Sequence, residues 1–417
     1  MNSNKVKIPD LNPVRGLARD KIASPKDLGE DTSNGMNILK SNYKNFFYAT
    51  AVLVGTMVGV GVFGIPFAFA KAGFWVGFFF LIFIGFITLL LDFMYGEVVL
   101  RTHEQHQITG YTGKYLGPWF KRAIFFSVTL ALYSALLVYM VIAGDFLNNI
   151  FSSVFYVSPT SYSLAFFVIL STLILRGIKR ISWFELLLVC LYMTVVLLIF
   201  GVGVSKIDLA NFAGIQREFW FLPYGVLLFA FAGFSAIPIQ RDILEDRESF
   251  LKKSILLAVL LVGALYLLFA FTVQGISGSV TTPDAISGLY EFLGGKIVFL
   301  GSLFGILAVG SSFLMLGSAF LEMFHLDYNV PRKLAWLLVV APPLVLFLGG
   351  LRTFIDIISL AGSVAIGLEG IVLTFVYIKS KSKGDRVPEY SLELPKFFYY
   401  LLIFMFGAGI VYALFIK

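Results

Sequence analysis

Residues 55–66 read GTMVGVGVFGIP. Within them Gly59-Val60-Gly61-Val62-Phe63-Gly64 spells G-x-G-x-x-G, the turn that lets a backbone approach a pyrophosphate at a helix start. That use needs a strand before the glycines, a soluble helix after them, and an acid about 20 residues further on. Here the glycines lie inside a long apolar run, and the first acid downstream, Asp92, lies inside the next one. A nucleotide turn is excluded, so the glycines must interrupt an apolar helix for another reason.

The composition says which kind of helix. Of 417 residues, 58% are hydrophobic and 14% charged, with a mean hydropathy of +0.87; soluble domains carry about 25% charged residues. This is a membrane composition. The one cysteine, Cys190, lies in an apolar run and excludes an intrachain disulfide. Residues 1–45 are polar, mixed in charge and rich in Pro, Gly, Ser and Asn, which reads as a disordered tail. They lack the apolar core of a cleaved signal peptide.

A membrane helix needs about 20 mainly apolar residues to cross about 30 Å of hydrocarbon. Eleven stretches qualify: 46–70, 75–100, 122–145, 161–176, 183–205, 219–240, 254–276, 297–323, 334–350, 353–378 and 397–416. An open sheet there would leave backbone groups unpaired, so an all-α integral membrane protein is expected. With the tail in the cytoplasm, 26 of the 32 basic residues fall on the cytoplasmic side. The other six are Lys71, Lys206, Arg217, Lys296, Arg352 and Lys417. The positive-inside rule then gives an N-in, C-out topology, with a cytoplasmic tail. The net charge of +7 is a topology signal, and no nucleic-acid partner is expected.

Span 1 carries Gly61 five residues before Pro66; span 6, reading FAFAGFSAIPIQ at 229–240, carries Gly233 five residues before Pro238. Both residue types weaken a helix. Two interrupted spans five apart point to two inverted five-helix repeats. These are placed at 46–206 and 207–379, with 396–417 as an extra eleventh helix in a transporter domain 46–417. The plainer alternative is that glycine and proline only kink membrane helices, where both are common. A break at mid-depth frees amides at one half-helix end, suited to a carboxylate, and carbonyls at the other, suited to an ammonium or small cation. Val60, Gly61 and Val62 would take the carboxylate of an amino acid, and the backbone of Phe231, Ala232, Gly233 and Phe234 its amine.

GTMVGVGVFGIPFAFAKAG (55–73), LPYGVLLFAFAGFSAIP (222–238) and AVGSSFLMLGSAFLEMF (308–324) resemble helices 1, 6 and 8 of the amino acid/auxin permease group. Within that part of the APC superfamily, the tyrosine/tryptophan permease branch is the nearest match. The resemblance covers the chain beyond residue 45 and implies a LeuT-like fold with broken helices 1 and 6. It also implies an ion-coupled symporter that imports a neutral L-amino acid, with aromatic ones among the candidates. The setting is the plasma membrane, the inner membrane if the source is bacterial. An alternative is an amino-acid-sensing transceptor with little flux, signalling through the tail.

The resemblance also supplies a cation test. Sodium-coupled relatives hold an ion with carbonyls of helix 1 and an A-x-x-[ST]-[ST] run in helix 8. The matching positions here are Gly55, Val58, Ala308, Ser311 and Ser312, which read equally as small residues packing helix on helix. The aromatic branch is regarded as proton-coupled, so both Na+ and H+ stay open. Asp92, Glu97 and Glu369 are candidate proton carriers, because ionising a carboxyl in lipid costs several kcal/mol without a partner; a buried polar network is the structural alternative. Tyr133, with Tyr139 and Ser134 as competitors, falls where relatives place a residue beside substrate, and Phe63, Phe231 and Phe234 would line an apolar pocket. His103-Glu104-Gln105-His106 lacks a third metal ligand. No Walker loop, G-x-S-x-G elbow or H-E-x-x-H occurs, so neither ATP use, a cofactor nor enzymatic chemistry is expected.

Overall fold

The computed structural model describes residues 44–176, 182–245 and 247–416. Nearly all of the expected tail lies outside them. No strand occurs among the described residues. Nine helices are long and apolar enough to cross a membrane, and Lys44–Met57 with Gly61–Ala72 forms a tenth span bent by 54°. A further helix, Arg332–Leu348, has 17 residues and contains Pro342 and Pro343. It lies at the sequence position expected for span 9, but at about 25 Å it is shorter than the hydrocarbon is thick.

Spans keep their sequence order. Span 2 is Phe74–Leu100, span 3 Pro118–Phe151, span 4 Pro159–Arg176 and span 5 Ser182–Gly203. Span 6 is Leu222–Ile243, span 7 Leu251–Ser277 and span 8 Gly295–Glu322. Span 10 is Phe354–Lys383 and span 11 is Lys396–Phe415. A short helix, Ile108–Leu116, lies between spans 2 and 3.

The two interruptions share a spacing but differ in construction. In span 1 the chain leaves the helix at Met57 and resumes at Gly61, so Pro66 sits inside the second half. In span 6 the helix Leu222–Ala230 ends, a 3₁₀ turn spans Phe234–Ala236, and Pro238 opens the helix Ile237–Ile243. A proline in the first turn removes an amide that has no intrahelical partner anyway. Gly61 is needed for contact: a Cβ there would stand 2.8 Å from the Ala230 Cα, so the two broken spans touch backbone to backbone.

Span 10 also departs from a plain helix. Ala361–Ile366 is π-helical and crosses span 6 at Gly225 and Gly362. A Cβ on Gly362 would lie 1.9 Å from the Gly225 carbonyl oxygen. This is backbone against backbone, so no rotamer change relieves it. Gly362→Ala is expected to destabilise the protein by at least the about 1–3 kcal/mol typical of overpacking, read as a lower melting temperature in detergent. Gly407→Ala, with open space around it, serves as the control and should not lower it.

Candidate functional site

Breaking a membrane helix strands backbone groups, and the structure gathers those of both breaks around one cavity of about 820 Å³. Met57, Gly59, Val60 and Gly61 face it from span 1, and Phe229, Ala232, Phe234 and Ser235 from span 6. Span 3 adds Tyr139, span 8 adds Met315 and Ser318, and span 10 adds Ile366 and Glu369. The cavity extends to Arg176 and Arg332. That end of the molecule also holds Arg101, Lys114, Arg241 and Arg386 in mutual contacts with their partners. Away from it, beyond Gly61, Phe63 is buried edge-on to Phe146 at 4.8 Å and Phe269 at 6.3 Å, which closes the opposite side.

No side chain caps the second half of span 1, whose N-cap is Val60. Its leading amides carry the positive end of a half-helix; those of Val62 and Phe63 turn back to the Gly59 and Val60 carbonyls at 3.4 and 3.2 Å. On span 6 the last carbonyls of Leu222–Ala230 meet the break from the other side. A tyrosine joins the two. Tyr266, midway along span 7, directs its hydroxyl to the Met57 carbonyl at 2.7 Å and the Ala230 carbonyl at 2.9 Å. Its ring packs on Phe231 at 5.1 Å.

Of the residues expected to contact an amino acid, Val60, Gly61, Ala232 and Phe234 line this cavity. The others do not. Val62 and Phe63 are buried in the core beyond the break, Phe231 lies under Tyr266, and Gly233 packs on Met57 and Leu53. Tyr133 faces span 9, where its hydroxyl donates to the Leu338 carbonyl at 2.7 Å. Tyr139, six residues on and about 240° round the helix, takes the cavity-facing place, with its hydroxyl near Gly59 and Ser312.

Gly55, Val58, Ala308, Ser311 and Ser312 all line one small cavity of about 30 Å³, closed in by Leu188, Tyr192, Phe304 and Met315. That volume exceeds the minimum for one water, about 10–15 Å³, so it accommodates a single small ion or water. Ser311, Ser312 and Tyr192 are the hydroxyl-bearing residues of its lining.

The three carboxyls differ. Asp92 is fully buried with neither oxygen hydrogen-bonded among the described residues, and Glu369 leaves Oε1 without a partner on the cavity wall. Glu97, a candidate proton carrier with a buried polar network as the alternative, stands in such a network. It pairs with Arg101 at 2.8 Å and Lys381 at 3.7 Å. It also accepts from Tyr377 at 3.2 Å, Ser391 at 3.1 Å and the Leu392 amide at 2.7 Å. Its carboxylate ties the segment between spans 10 and 11 to span 2, away from the cavity. The same segment is anchored by Arg386 on Glu248 and by Asp385 on Lys114 at 2.6 Å; Lys114 holds the Asp385 carboxyl below the ordinary carboxylate range.

Sequence reasoning passed over Tyr266. The available signal was one hydroxyl in the middle of LLVGALYLLFAF (260–271), where a polar atom needs a partner.

The model of the tryptophan/tyrosine permease family matches residues 42–414. No curated protein matches the chain. Among solved structures, that of MhsT in complex with L-phenylalanine matches with a TM-score of 0.59 at 17% identity, covering 88% of this chain and 97% of that one. That likeness shows a shared fold.

Glu97→Gln leaves Arg101 and Lys381 facing a neutral group in a buried site, where breaking an ion pair costs about 3–5 kcal/mol. We expect a marked loss of thermal stability and faster proteolysis within residues 384–395. Melting curves and limited digestion of the purified protein check both.

Proposed function

The chain belongs to the tryptophan/tyrosine permease family, and we propose on that premise that it imports a neutral L-amino acid, aromatic ones included, by symport with Na+ or H+. It is a multi-pass membrane protein of amino acid transport rather than an enzyme. The observation that carries the finer reading is that both helix breaks open onto a single cavity, lined by Val60 and Gly61 at the start of one half-helix and by the backbone beyond Ala230, at Ala232, Phe234 and Ser235, in the other break. A zwitterion supplies the matching pair of charges, so no charged side chain is required at that depth. An apolar wall including Phe229, Phe234 and Met315 suits an aromatic side chain. The L-phenylalanine in the MhsT complex supports the same class.

The architecture in this reading is a LeuT-like pair of inverted repeats, 46–206 and 207–379, with span 11 appended. Interruptions in spans 1 and 6, the matching glycine–proline spacing and the collected basic residues support it. With those basic residues in the cytoplasm the chain runs N-in and C-out, and the cavity opens inward. Alternating access moves spans 1, 2, 6 and 7 against the remainder. The ion drives uptake only through its different affinity for the two states. For sodium, the small cavity of Gly55, Val58, Ala308, Ser311 and Ser312 joins span 1 to span 8 and would sense their separation. For protons, Asp92 and Glu369 are the carriers, Glu97 being committed elsewhere.

Purified protein in liposomes, given labelled amino acids under an imposed sodium or proton gradient, tests the reading. Sodium-dependent uptake that Ser311→Ala/Ser312→Ala reduces at least tenfold supports the span 1–span 8 ion site. Proton-driven uptake indifferent to that pair overturns the ion site and assigns coupling to Asp92 and Glu369. Absence of concentrative uptake under both gradients overturns symport.

A further inference from the structure

The first half of span 1 arrives at the break from the basic end of the molecule; the first half of span 6 arrives from the opposite end, where Gln216 bonds the Ala72 carbonyl. Both finish there as helix C-termini, at Met57 and Ala230. Two negative helix ends therefore meet at mid-depth, where screening is weak. The structure sets one proton between them. A tyrosine hydroxyl has a single O–H, and that of Tyr266 lies within bonding distance of both terminal carbonyls, 2.7 and 2.9 Å away. Its oxygen holds the two half-helix ends at a fixed separation.

We propose that Tyr266 is a positioning residue of the substrate site, setting the spacing between the span 1 amides and the span 6 carbonyls. The inference rests on the transport reading above. Three observations carry it. Gly61 closes onto Ala230 with no room for a side chain, so the amide group and the carbonyl group ride on one backbone contact. Tyr266 bonds the residue at the end of that contact on span 6 and the last helical residue before the break on span 1. Its ring also lies against Phe231, and it is fully buried, so it is held from both sides. The Met57 carbonyl also takes the Gly59 amide at 2.8 Å and shares the Tyr266 hydroxyl with Ala230, which leaves a ligand's amine to the carbonyls beyond Ala230.

Because Tyr266 acts on backbone that meets the charged groups common to every amino acid, its loss should weaken all substrates by the same factor. Tyr266→Phe keeps the ring and removes only the hydroxyl. The uptake KM is expected to rise about tenfold for each transported amino acid, the scale of one lost buried hydrogen bond, with the substrate preference order unchanged. A purely structural tyrosine would instead reduce the amount of active protein, lowering Vmax and leaving KM alone. Tyr377→Phe is the control. Tyr377 is equally buried and donates to Leu392 and Glu97, so its loss should cost stability without changing KM.

Site-specific 3-fluorotyrosine at 266 alters donor strength without altering fold, and it replaces the Phe variant should that not accumulate. A KM shift common to all substrates supports the proposal. An unchanged KM, or a shift confined to one side chain, overturns it while wild-type uptake leaves the transport reading intact. A wild-type protein without uptake overturns both.

Discussion

A carbonyl or amide stranded in hydrocarbon costs several kcal/mol, and this chain strands several at the middle of two spans. The rest of the architecture follows from how that cost is met. Some groups are bonded locally: the Gly59 amide turns back to Met57, and the Ala236 amide to Gly233. Two carbonyls, those of Met57 and Ala230, share the single Tyr266 hydroxyl. The remainder face a cavity, where a ligand or water can serve them. Small residues at Gly61 and Ala230 let the breaks come together, and the Gly225–Gly362 crossing holds the first half of span 6 against span 10. The breaks are thus tolerated because they are surrounded by protein, and useful because the surround is incomplete.

The sequence was legible where a single residue type has one physical meaning. Long apolar runs gave the spans to within a few residues, and glycine followed by proline marked both interrupted helices. What failed was register. The matched spacing left open how each break is built: Pro66 lies within a half-helix and Pro238 in the first turn of one. Tyr133 and Tyr139 were both near the middle of span 3; only the helix's rotation against spans 8 and 9 separates them. Glu97 looked like its fellow carboxyls because its partners Ser391 and Leu392 lie about 295 positions away in sequence. The π-helical stretch of span 10 leaves no mark in composition at all.

Economy of charge distinguishes the two cavities from the network around Glu97. At the breaks themselves, polarity comes from helix ends and hydroxyl groups, with Glu369 as the buried carboxyl on the cavity wall. At the basic end, the ion pairs of Glu248 with Arg241 and Arg386 and of Lys114 with Asp385 bind loops to helices. A region that must hold a loop in place can use a buried charge, provided every partner is present.

The ring cluster of Phe63, Phe146 and Phe269 has a consequence beyond packing. Three rings from spans 1, 3 and 7 meet without a hydroxyl or amide among their side chains, so a file of water has nothing to hold it there. Protons and ions that hop along water files lose their path at that point. In the symport reading proposed above, such an oily plug would limit leakage of the gradient, and coupling efficiency would be set by how rarely those three rings separate while the cavity stands empty.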